Sequence, residues 1–145
     1  MSRLFGSAAV AIAIVLGLTA CNSGYHPSER VANANVIGTW TAPANGKSSP
    51  AMEFLADKTF QGTGLPSGLF CGDFFTEPDS ASPVTVEGDW SIGEDRSNNL
   101  YFVELTTDDG CVDRLYSEEL ANEFHLFIWI GDPDEDNTVT FSKAD

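Results

Sequence analysis

The sequence predicts an all-β fold, an antiparallel meander of about eight short strands closed into a barrel, and three observations carry that expectation. Hydrophobic side chains recur at every second position. The joints between such runs carry turn chemistry. After Val36, no stretch of about ten residues or more shows a helical stripe. The clearest alternation is VTVEGDWSI (84–92). Val84, Val86, Gly88, Trp90 and Ile92 share one parity, and Thr85, Glu87, Asp89 and Ser91 the other. That is the mark of a strand with one buried and one wet face.

In chain order, segment 36–42 (VIGTWTA) sets Val36, Gly38 and Trp40 on one side. Strands at 51–55 and 59–64 flank ADK (56–58), a turn. GLPSGLFCGDFFTEPDSASP (64–83) shows little strand pattern and reads as a long loop at a barrel rim, either a lid or, the simpler reading, a cover that packs its own Phe residues as a satellite core. After 84–92, EDRSNN (94–99) turns into a strand at 100–106, and DDG (108–110) into one at 111–118. Residues 117–121 form a turn of helix at most. AN (121–122) leads into 123–131, where Phe124, Leu126, Ile128 and Ile130 share a parity that leaves Phe127 and Trp129 facing out. DPDEDN (132–137) then turns into 138–143. Closing the meander removes exposed edges, while a two-sheet sandwich satisfies the same alternation.

The N-terminus has a different character. Met1–Arg3 brings one positive charge, and residues 4–20 are apolar or small apart from Ser7 and Thr19, which describes a secretory signal peptide. The run is shorter than the ~20 apolar residues of a membrane span, and no cationic cluster follows. LTAC (18–21) resembles the lipobox of bacterial lipoproteins, with Leu18, Thr19 and Ala20 ahead of Cys21. The resemblance implies cleavage before Cys21, a diacylglyceryl group on its thiol and an acylated amine. Two or three acyl chains meet the two-signal condition for stable anchoring. The expected organisation is a signal peptide over 1–20, a lipidated Cys with a flexible tether over 21–35 (its NSGYHPSERVANAN polar and turn-rich), and the barrel over 36–145. The protein would sit on the extracytoplasmic side of a cell membrane or envelope.

With Cys21 given to lipid, Cys71 and Cys111 remain. They are free to bridge in an oxidising compartment, or to stay as two buried thiols. A bridge would close a loop of about 40 residues and contribute ~3–4 kcal/mol on the chain-entropy account. The charge is strongly negative: seven Lys and Arg against 22 Asp and Glu give −15, and losing Arg3 with the signal leaves six against 22, or −16 with the amine acylated. Such acidity repels nucleic-acid phosphates and anionic headgroups. The expected partners are therefore membrane lipid through Cys21, a small apolar ligand, or an envelope protein, and not nucleic acid.

From GTW (38–40) onward the chain resembles a lipocalin-like β-barrel. In lipocalins a Gly-X-Trp motif on the first strand plugs the closed end with its indole. Here the motif stands at 38–40 and again as GDW (88–90). MEFLADKTFQGTG (52–64) resembles an early hairpin of bacterial lipocalin-like lipoproteins, and FHLFIWIGDPDEDNTVTFSKA (124–144) their final one. The resemblance implies an up-and-down barrel, with an Arg stacked over the first-strand Trp in true lipocalins. Arg114 is the only late Arg, TTDDG matches the Thr-Asp-Tyr motif poorly, and the helix that follows lipocalin barrels has no counterpart before Asp145.

Two functions follow. Trp40, Phe54, Phe60 and Trp90, with Phe74 on the rim loop, would line an apolar pocket in a ligand-binding envelope lipoprotein, or fill the barrel of a non-catalytic interaction or scaffold module. Nothing in the sequence points to an enzyme or a cofactor. His125 is the sole His beyond the tether, Gly-X-Ser-X-Gly and phosphate-binding loops are missing, and the Cys pair falls short of a zinc ligand set. Asp132, Asp134 and Asp136 resemble the opening of a calcium loop, but Asn137 stands where Gly is expected and Lys143 where the bidentate Glu is expected. A hairpin tip of solvated carboxylates is the simpler reading.

Overall fold

The alternating side chains close into an antiparallel barrel in which each strand pairs with the next and the eighth returns to the first. The computed structural model describes residues 31–72, 77–96, 100–121, 123–132, 134 and 137–145. The expected signal peptide, Cys21, the tether as far as Arg30, Phe74 and Asp136 lie outside the described residues. A short helix α1 (Asn33–Val36) precedes β1 (Gly38–Thr41), β2 (Ala51–Phe54), β3 (Thr59–Ser67), β4 (Asp79–Asp95), β5 (Leu100–Thr107), β6 (Val112–Leu120), β7 (Glu123–Trp129) and β8 (Thr138–Lys143).

The register carries one parity inward all the way round. Phe54 stands opposite Phe60, Trp90 opposite Leu105, Val103 opposite Leu115, and Leu126 opposite Phe141. Trp40 opposite Lys143 closes the ring. These apolar side chains form one continuous buried cluster with Met52, Leu65 and Ile128. Gly88, the first residue of the second Gly-X-Trp, fits because a Cβ there would strike the Thr106 carbonyl across the ladder.

The two ends differ. At one, α1 lies with the tight turn after β2 and the turn at Ala121, which adopts φ 53°. The other end carries the long connections after β1, β3 and β7 and the short one after β5.

Three boundaries depart from expectation. Val31 is only 5% exposed and belongs to the core, so the packed body begins upstream of residue 36. Its side chain, with Val36, covers apolar surface at the barrel base, which a polar-looking ANAN segment conceals. The 64–83 stretch is not all loop. β3 continues through an irregularity between Gly62 and Leu65, and pairs Leu65 with Val84, Pro66 with Pro83 and Ser67 with Asp79. Residues 117–120 stay in strand β6.

Candidate functional site

The closed end is built on the two Gly-X-Trp motifs. Each indole is buried, donates its N–H to a backbone carbonyl and carries a lysine on its face. Trp40 Nε1 donates to the Val36 carbonyl at 2.7 Å, and Lys143 Nζ lies 5.6 Å from the ring centre. Trp90 Nε1 donates to the Leu55 carbonyl at 3.1 Å, and Lys58 Nζ lies 3.7 Å above its ring. Both ammonium groups also hold α1: Lys58 donates to Asn33 Oδ1 at 2.6 Å and Lys143 to the Asn35 carbonyl at 3.0 Å. The cation over Trp40 is thus Lys143. Arg114 lies on the outer wall, 4.3 Å from the Phe102 ring centre, with its Nε 3.4 Å from Glu104 Oε2. Lys143 was legible as a partner only through its parity, since it continues the inward row of Val139 and Phe141.

The candidate pocket residues Trp40, Phe54, Phe60 and Trp90 all belong to the one buried core cluster. Exposure is 0% for Trp40, 1% for Phe54 and 2% for both Phe60 and Trp90. Phe54 packs edge-on against Trp90 at 5.7 Å between ring centres, and tilted against Phe60 at 6.2 Å; Trp40 meets Phe124 at 5.8 Å. Phe74 is outside the described residues.

At the opposite end Leu65 is fully buried, and the turn after β3 carries Leu69 into the mouth at 5% exposure. A disulfide joins Cys71 to Cys111, with Cα atoms 6.1 Å apart across 40 residues of sequence. It ties that turn to the β5–β6 connection. The Cys71 N–H donates to Asp113 Oδ2 at 3.0 Å. Hollows flank the bond on two sides. One, of about 240 Å³, is lined by Phe70, Val86, Glu87 and Thr107; the other, of about 190 Å³, by Leu69, Val112, Ile128 and Ile130. Asp113 and Leu69 had no signal of their own in the sequence.

Outside, β5, β6 and β7 align aromatics. Phe102 pairs with Tyr116 and Tyr116 with Phe127, while Trp129 packs 4.5 Å from Tyr116 and 4.9 Å from Phe127. Phe102 lies over Gly93, where a Cβ would strike its ring. The outward parity expected for Phe127 and Trp129 holds, but Phe102 and Phe127 are buried on that face.

His125 is on the outer wall of β7, its side chain 13% exposed, with Nδ1 3.1 Å from Ser142 Oγ and Nε2 3.8 Å from Glu123 Oε2. A hollow of about 560 Å³ adjoins it, reaching Asn35, Lys143 and Asp145. Ser142 sits within β8, opposite His125 of β7 and Thr41 of β1. At the acidic hairpin, the Asp134 N–H donates to Asp132 Oδ1 at 3.0 Å. Among the described residues no three acidic, His or Cys side chains are grouped to hold a metal ion.

Three carboxylates, Asp57 and Asp109 in turns and Asp79 at the start of β4, titrate below the usual Asp range. The Thr59 hydroxyl holds Asp57 down, the Ala81 N–H Asp79, and the Thr107 hydroxyl Asp109. Each hydrogen bond favours the charged form. No protein-family model matches this chain, and no match emerged among characterised proteins or among solved structures.

Proposed function

We propose that the protein is a lipid-anchored cell-envelope module whose barrel is a solid scaffold, acting through its outer surface rather than through a ligand pocket or a catalytic site. The observation that carries this reading is the burial of Trp40, Phe54, Phe60 and Trp90 within one continuous core. A carrier would need the space those rings occupy. The half-buried Tyr116 and Trp129, flanked by Arg114 and Glu104, offer the mixed aromatic and charged chemistry that interaction surfaces favour. A chain with 22 acids selects a neutral or basic partner.

The test is denaturing mass spectrometry of organic extracts from purified protein, alongside titration with a fluorescent fatty acid. No co-purifying small molecule and no saturable probe binding are expected. A stoichiometric apolar compound in the extract overturns the solid-scaffold reading. Anchoring is tested separately: Cys21→Ala should release the protein from membranes, and continued acyl labelling of that variant would refute lipidation at Cys21.

A further inference from the structure

We infer that the Cys71–Cys111 disulfide is a redox latch. It holds the turn after β3 as a plug in the barrel mouth, and its reduction opens that end while the strands stay closed on themselves.

Among the described residues, few other contacts hold the turn. Its Leu69 N–H donates to the Pro66 carbonyl at 3.1 Å, a bond internal to the turn. The Cys71 N–H to Asp113 bond is a single tie to the wall. Cys71 itself has φ 60°, the left-handed region that a residue with a side chain occupies only when its surroundings impose it. The turn's apolar holds are Leu69, buried in the mouth, and Phe70, half-buried against the core. None of the described strand pairings includes residues 68–72, because the last β3–β4 pair is Ser67 with Asp79. The β1–β8 closure pairs Trp40 with Lys143 and Thr41 with Ser142 and does not involve the turn.

The hollows on both sides of the bond are walled from each other by this turn, since Cys71 lines the two. Once released, the turn would join them into one opening floored by Val86, Ile128 and Ile130. Cys71 is exposed and Cys111 half-buried, so a thiol reaches Cys71 Sγ first. The reductant is a dithiol. One thiolate attacks Cys71 Sγ, the Sγ–Sγ bond breaks, and Cys111 leaves as a thiolate that takes a proton from water. The second thiol then displaces Cys71 from the mixed disulfide, so two electrons pass from the dithiol to the protein.

The experiment compares the oxidised protein, the same protein in dithiothreitol, and Cys71→Ser/Cys111→Ser without reductant. Far-UV circular dichroism, emission of an apolar dye and limited proteolysis mapped by mass spectrometry are read together. Reduction should raise dye emission several-fold and speed cleavage within residues 66–72 about tenfold, the signature of easier local opening, with the β spectrum unchanged. The double variant should match the reduced protein. Unchanged dye emission and cleavage on reduction overturn the latch. Loss of the β spectrum together with opening overturns it equally, because the bond would then staple the whole barrel. A reductant effect that the double variant fails to reproduce counts against it as well.

Discussion

Trp40 and Trp90 satisfy an old requirement of buried indoles, a partner for the N–H, and add a cation on the ring face. Trp40→Phe keeps most of the packing but strands the Val36 carbonyl, and should cost about 1–3 kcal/mol. Trp40→Ala should cost about 3–5 kcal/mol. Urea midpoints would separate the two, and equal losses would mean that the hydrogen bond contributes little. At Asp109, the lowered carboxyl pKa makes stability depend on pH with a fixed sign. The native carboxylate is favoured, so its contribution is complete above the ordinary Asp value of 3.8 and is lost as pH falls through the lower folded value. Asp109→Asn should therefore be less stable than the parent at pH 7, with the gap closing in strong acid. A gap independent of pH would assign the effect to shape alone. The Gly-X-Trp repeats were legible in the sequence because a glycine beside a bulky ring is a local signature. Of their lysines only Lys143 left a trace, through its parity on β8; Lys58 comes from the β2–β3 turn, and a charged residue normally reads as outward-facing.

Strand β4 shows where alternation misleads. Most of its strand character was visible between Val84 and Ile92, but its first residues, with the end of β3, sit in a run of Gly, Pro and Ser that reads as loop. Pairing, rather than propensity, makes this arm a strand. Its outer edge extends past β5: the Glu87 carbonyl receives the Asp108 N–H, and among the described residues no strand pairs with 79–86 on that side. Because the Trp90 N–H points to β3 and the Glu87 carbonyl away from it, Thr85 and Pro83 also face the free edge. Pro83 has no N–H to offer, and the Ala81 N–H is taken by Asp79 Oδ1 at 2.8 Å. These are ways of blunting an edge against further strand addition. Asp79→Ala/Pro83→Thr should restore two donors and promote concentration-dependent association, visible by light scattering. A strictly monomeric double variant would show that the edge is protected in some other way.

Over the whole molecule, the eight-strand meander was legible because one parity stays apolar through nearly every segment, whereas its closure into a ring rather than a sandwich rested on the lipocalin-like resemblance and the saving of exposed edges. How completely the interior is filled was not, because the same rings that line a cavity can equally meet in the middle, and only their three-dimensional spacing decides. Charge acts at this scale too. With seven cations against 22 acids, and the described ion pairs Glu94–Arg96 and Glu104–Arg114 lying at the surface, self-repulsion should outweigh local attraction. Raising salt from low to physiological strength should then raise the melting temperature, as screening shortens the reach of repulsion to about 8 Å. A fall would mean that the pairs and the lysine–indole contacts dominate.

The path of the chain into the barrel gives the molecule a polarity. It arrives through Val31 and α1 at the base held by Trp40 and Trp90, while the sulfur bridge sits at the far rim. β4 alone has 17 residues, a span of roughly 56 Å of strand at ~3.3 Å per residue before tilt. On the anchoring proposed for Cys21, visitors approaching from outside would encounter the bridged rim before the base, much as callers meet a door knocker before the hinges.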